Sequence, residues 1–178
     1  MKALAFATLV IGSSSAALAA GAPQPPEKAA ELALKQCVDH ALGTSQIKGQ
    51  NGQELDSRGL AYQRDAPPFL SSTQQTDLGR AEYVKAPSTD GEIWSAGYDG
   101  GSCMVVTMAT VVPPLEKSYV DYFGSVSTWH AERAPSGNKG ERKLEYTMMP
   151  TRVTKLTATV SLRDAEGISS IVIRRQTR

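Results

Sequence analysis

Between Lys155 and Arg163 the chain alternates apolar and polar residues without a break. Leu156, Ala158, Val160 and Leu162 take one side, and Thr157, Thr159, Ser161 and Arg163 take the other. A period of two is the spacing of a strand with one buried face, and no helix would gather those residues on one stripe. Arg142 to Met149 repeats the pattern, with Leu144, Tyr146 and Met148 inward. Asp164-Ala165-Glu166-Gly167 then turns the chain, and Ile168 to Arg175 returns as a further strand. The last forty or so residues therefore read as an antiparallel meander with one wet face.

The rest of the chain supplies what that face packs against. Glu27 to Leu42 reads as a helix, with a stripe of Ala30, Leu34, Cys37, Val38 and Ala41 and with Gly43 placed to end it. His40, near its C-terminus, is expected at the surface, where its charged form is favoured. Thr44 to Ser57 is polar and reads as loop, and Phe69 and Leu70 read as an apolar plug on the core. Strands follow at Ala81 to Lys85 and Glu92 to Tyr98, the latter with Trp94, Ala96 and Tyr98 on one face. Asp99-Gly100-Gly101 is a hairpin turn, and Ser102 to Thr110 is apolar on both sides, as in a central strand covered on both sides or nearly so. Pro113-Pro114 opens a second helix through Phe123, with Leu115, Tyr119, Phe123 and Val126 as its inner stripe. The expected fold is α+β: a mostly antiparallel sheet of about five to six strands, packed by an N-terminal and a central helix. Each helix is followed by strands, an order that hints at a duplicated unit.

The first twenty residues stand apart from this pattern. Lys2 precedes an uncharged apolar run from Ala3 to Gly12, and Ala17-Leu18-Ala19 offers a small-x-small cleavage pattern. This is the form of a secretory signal peptide, cleaved near Ala19 or Ala20. The expected organisation is residues 1–20 as signal peptide and 21–178 as a single α+β domain. Its residues 21–26 form a flexible, proline-rich leader. No later apolar run approaches membrane length, so no transmembrane anchor is expected. No cysteine directly follows the cleavage pattern, so no lipid anchor is expected either. The expected location is periplasmic or secreted.

An oxidising compartment gives the two cysteines a meaning. Cys37 and Cys103 are expected to form a disulfide stapling the first helix to the central strand, and their spacing is unlike the Cys-x-x-Cys of redox enzymes. Without Lys2 the chain carries 18 basic and 18 acidic side chains, a balance that argues against a general nucleic-acid or anionic-membrane binder. The distribution is uneven. Gly21 to His130 holds 8 basic and 13 acidic residues, and Ala131 to Arg178 holds 10 and 5. A basic docking face ending in Arg174, Arg175 and Arg178 is one reading; charges that balance within the fold are the other.

Signals of chemistry are sparse. Gly100-Gly101-Ser102-Cys103-Met104 lacks the second glycine of a nucleophile elbow, and a strand rather than a helix follows it. His130 and Glu132 stand as His-x-Glu, but the Pro-Cys-x-x-Cys partner of a zinc deaminase is missing. No metal site is expected, because two histidines and two bonded cysteines make no convincing zinc ligand set, and no cofactor, because no phosphate-binding glycine loop or dinucleotide fingerprint occurs. Trp94, Tyr98, Tyr119, Tyr122 and Trp129 either line a ligand groove or belong to the core.

Taken in order, the export signal, the helix carrying Cys37, Pro68-Phe69-Leu70, Trp94, Gly100-Gly101-Ser102-Cys103 and the alternating strands after Tyr146 form a pattern. It resembles a set of small, exported, uncharacterised proteins and lipoproteins of proteobacteria. The resemblance favours the disulfide and the α+β fold and carries over no catalytic residues. The expected function is that of a non-enzymatic binding or assembly-accessory protein. Its partner would be another periplasmic or envelope protein, met at Trp94, Tyr98, Arg174 and Arg175. The alternative is an envelope-associated hydrolase using His130 with a nearby carboxylate such as Glu132 or Asp121.

Overall fold

A computed structural model describes residues 21–71, 78–134 and 137–177. The signal-peptide reading falls on residues 1–20 and lies outside them. The chain is α+β, with eight strands in one antiparallel sheet: β1 (Ala61–Gln63), β2 (Ala81–Ala86), β3 (Glu92–Tyr98), β4 (Cys103–Met108), β5 (His130–Glu132), β6 (Arg142–Met148), β7 (Thr154–Arg163) and β8 (Ile168–Thr177). Their order across the sheet is β1-β2-β3-β4-β8-β7-β6-β5. Two four-stranded meanders thus meet where β4 pairs β8, with Val105 opposite Ile171.

Five to six strands were too few. The edge strands β1 and β5 have three residues each, too short to show alternation, and pairing with β2 and β6 defines them. Short edges also limit unwanted pairing with other chains. Four helices are described, not two: α1 (Pro26–Leu42), α2 (Gly52–Ser57), α3 (Pro68–Ser71) and α4 (Val112–Ser125). The short α2 and a 3-10 turn at Gly49–Asn51 occupy part of the stretch expected as loop. Residues 21–26 are not a free leader. Gln24 bridges Ser88, its N–H donating to the Pro87 carbonyl at 3.1 Å and its carbonyl accepting from Thr89 at 2.8 Å.

Helices α1 and α4 cover one face of the sheet. The alanines of α1, with Ala29, Ala30, Ala33 and Ala41 all buried, let its backbone approach so closely that Ser95 Oγ donates to the Ala33 carbonyl at 3.0 Å. Gly43 ends the helix with a φ of 81°, its N–H donating to the His40 carbonyl. Cys37 and Cys103 are bonded, with Cα atoms 5.5 Å apart, joining α1 to the start of β4. In α4, Leu115, Tyr119 and Phe123 are buried, whereas Val126 lies past the helix end and is exposed, contrary to the expected stripe. Phe123 stacks on Tyr146 at 4.4 Å and meets Trp129 edge-on at 5.0 Å. Leu156, Ala158, Val160 and Leu162 of β7 all point into this core.

The other face carries a second apolar cluster on β2 to β4. Trp94, Ala96 and Tyr98 do share a face, but it is the face away from the helices, where they join Tyr83, Met104, Val106 and Leu70. The remaining strands leave that face wet, with Thr157, Thr159 and Ser161 half-buried.

Candidate binding groove

Alternation along three neighbouring strands builds a groove on the helix-free face. Met104, Val106 and Met108 of β4 face away from α1, because Cys103, Val105 and Thr107 face toward it. Ile168, Ser170 and Val172 do the same on β8, and Ser161 and Arg163 on β7. Phe69, carried by α3, forms the far wall, and Glu141 closes the end before β6. The hollow measures about 400 Å³.

Its floor is apolar and its end is charged. Glu141 accepts from the Asn138 N–H, and that bond, with Lys143 at 3.3 Å, holds its carboxyl below the usual carboxylate range. Arg163 lies between Glu141 at 3.9 Å and Glu166 at 3.3 Å. Methionine thioethers adapt to an apolar guest of uneven shape. The serine hydroxyls and the Arg163–Glu141 pair are placed to orient a polar end. The arrangement is that of a binding site: apolar contact with a few polar groups at one side.

Trp94 stands behind the wall, its ring edge-on to Phe69 at 6.3 Å and under the Lys85 ammonium at 5.3 Å. Tyr98 lies in the same cluster. Tyr119 and Trp129 belong to the helix-side core, with Tyr122 packed against it. Arg174 and Arg175 do not form one patch, because adjacent strand residues face opposite sides. Arg175 folds over the β3–β4 hairpin, where a Cβ on Gly101 would stand 2.9 Å from its Cδ, and its N–H donates to Ser102 Oγ.

The titratable groups singled out for chemistry are dispersed. His130 is exposed on β5 and lines none of the hollows described. Glu132 accepts from the Thr147 hydroxyl at 2.9 Å. Asp121 pairs with Lys117 in a larger hollow, about 510 Å³, between α1 and α4. Tyr119 is buried against Ser169 and Thr107, and burial pushes its phenol up to about 12.

His40 is not at the surface. It is 3 % exposed, its Nδ1 accepting from the Ile47 N–H and its Nε2 bonded to the Tyr98 carbonyl, both at 3.0 Å. A backbone donor on one nitrogen and a backbone acceptor on the other fix the neutral tautomer with the proton on Nε2. Burial lowers its pKa, and Lys48 and Arg175 add to the effect. Its role is to hold the turn after α1 onto the end of β3.

No family model, curated protein or solved structure matches this chain. Its own geometry therefore carries the functional reading. Among the described residues no helix is long and apolar enough to cross a membrane, and no cluster of three or more His, Cys, Asp or Glu could hold a metal.

Sequence reasoning read β4 as covered on both sides or nearly so, and all of its residues but Met108 are buried. Phe69 and Leu70 supply cover over β3 and β4, and the hollow lies beside them along the β4–β8 seam. Ser161, Ser170 and Val172 gave no separate signal, because hydroxyls and a valine on a strand read as ordinary surface.

Proposed function

We propose that this protein is an exported, non-enzymatic binding or assembly-accessory module, related to the exported proteobacterial proteins it resembles. Its groove receives an apolar group of another periplasmic or envelope protein. The single observation that carries this is the groove itself: Met108, Val172 and Phe69, half-buried, line a hollow over the buried Met104 and Val106, beside an oriented Arg163–Glu141 pair. Seating one leucine-sized side chain there would contribute about 1.5–3 kcal/mol. The export reading draws support from the apolar N-terminal run and from the disulfide, which suits an oxidising compartment. The hydrolase alternative draws none from an exposed edge-strand histidine.

A neutral apolar fluorophore, N-phenyl-1-naphthylamine, reports on the groove directly. It is expected to gain emission with the oxidised protein and to lose it, or bind at least about tenfold more weakly, with Val172→Lys, which sets an ammonium among the apolar side chains. Val172 is half-buried, so the variant's unfolding transition confirms that it folds. Equal emission from both proteins, or none from either, would overturn the groove as receptor.

A further inference from the structure

A further hollow lies at the β1–β2 edge of the first meander and has a different chemistry. β1 and β2 pair antiparallel with Gln63 opposite Tyr83, so Arg64, just after β1, and Arg80, just before β2, leave the sheet at the same end. Lys48, from the turn after α1, reaches the same place. With Gln50, Tyr62 and Glu82 they line a hollow of about 330 Å³.

Between Gly21 and His130, five of the eight basic side chains pair with carboxylates. Lys28 pairs with Glu31, Lys35 with Asp39, Arg58 with Asp39 and Glu54, and Lys85 with Glu92. Among the described residues Lys48, Arg64 and Arg80 make no ion pair, although Glu82 lies among them. Glu82 is already engaged. Its Oε2 accepts from the Tyr62 hydroxyl at 2.7 Å and from the Gly49 N–H at 2.5 Å. The bond to Glu82 raises the Tyr62 phenol's pKa, so the phenol keeps its proton and remains a donor. Three cations against one carboxylate leave a surplus of two positive charges around an open hollow. Keeping like charges together without a counter-charge costs energy that a bound anion would return.

We propose that this hollow binds a phosphate dianion, presented either free, as inorganic phosphate or a soluble monoester, or on an anionic lipid headgroup. Two guanidiniums offer planar forks of donors and the ammonium a point charge, a set that suits an acceptor with several oxygens and two charges better than a single carboxylate. The glutamate on one wall favours a compact ligand held toward the arginines, because an anion filling the whole hollow would meet its charge.

The test uses the oxidised protein at low salt in two arms. One is calorimetric titration with inorganic phosphate; the other is co-sedimentation with phosphatidic acid vesicles, whose headgroup is a phosphomonoester able to carry two charges, against phosphatidylcholine vesicles. Binding is expected in at least one arm, and the arm that responds names the source. The Arg64→Gln/Arg80→Gln variant is expected to weaken it by roughly tenfold or more, two charge-assisted contacts being lost. Glu82→Gln is expected to tighten it severalfold, and Arg58→Gln, at an ion-paired cation elsewhere, to leave it unchanged. Both arginines of the double variant are exposed, so it is expected to fold, and Lys48→Gln gives an independent check. Failure of both arms, or binding that survives Arg64→Gln/Arg80→Gln, would overturn the site. Neither result bears on the apolar groove, which the neutral fluorophore reads separately.

Discussion

His40 turns a packing contact into a measurable pH dependence. Its two ring nitrogens meet a backbone donor, Ile47 N–H, and a backbone acceptor, the Tyr98 carbonyl, each at 3.0 Å. Protonation would put a second N–H on Nδ1, facing the Ile47 N–H, and would exchange a buried hydrogen bond for two opposed donors. An unmade buried bond of that kind costs about 1–3 kcal/mol. Burial is the main cause of the lowered pKa, the Tyr98 carbonyl opposes it, Lys48 and Arg175 add to it, and Asp99 opposes it weakly. The ordinary value for the unfolded chain is 6.5. The folded pKa lies below that, so between the two the unfolded state binds more protons than the folded one. Stability is therefore fully present above pH 6.5 and is lost as the pH falls below it through the folded value. The slope is bounded by one proton, about 1.4 kcal/mol per pH unit, so the loss by pH 5 is at most about 2 kcal/mol.

His40→Gln provides the control, since an amide keeps one acceptor and one donor and does not titrate. Urea unfolding of both proteins from pH 8 to pH 5 isolates the histidine, because His130 and all carboxylates are common to the pair. The wild type is expected to fall relative to the variant below pH 6.5 and to run parallel to it above. A difference that stays constant over the whole range would refute the buried neutral tautomer.

Two further outcomes follow from the same region. Removing the Cys37–Cys103 bond, by reduction or by Cys37→Ala/Cys103→Ala, frees a 66-residue separation and is expected to cost about 4 kcal/mol in the chain-entropy account, read as a lower urea midpoint; a change near zero would contradict it. Gly97→Ala would place a Cβ 2.7 Å from Ile47 Cβ and 2.9 Å from His40 Cε1, so a loss of about 1–3 kcal/mol is expected in thermal or urea unfolding, and an unchanged midpoint would show that the turn after α1 yields freely.

The elements most legible in the sequence are those whose cause is local. The β7 alternation appears in the structure with every expected inward residue buried, because one face of a strand reads directly as a period of two. The cysteine pair was legible from parity and from the N-terminal run that reads as an export signal. His40 was misread because position on α1 suggested a solvated helix end. The groups that capture it, Ile47 and Tyr98, come from a later turn and a distant strand. β5 escaped notice because its three residues are all exposed and only β6 makes them a strand. The groove was half legible: the apolar run of β4 was visible, and the extent of its cover depends on where α3 comes to rest.

Charge shows the same division between sum and placement. In the sequence the excess of acid lies before His130 and the excess of base after it, which pointed to Arg174 and Arg175 as a docking face. Placement changes the consequence. In the C-terminal part Arg174 and Arg175 leave opposite faces of β8, while Arg142 meets Glu116 and Asp164, Lys143 meets Glu141, and Arg163 meets Glu141 and Glu166. The acid-rich part, whose carboxylates engage Lys28, Lys35, Arg58, Lys85 and Lys117, leaves Lys48, Arg64 and Arg80 together at one end of β1 and β2. A net charge near zero excludes a long-range attraction to polyanions, since opposed fields cancel beyond a Debye length of about 8–10 Å. It does not exclude a short-range site, where three cations act on a ligand within a few ångströms and the one carboxylate among them, Glu82, is already held by the Tyr62 hydroxyl and the Gly49 N–H.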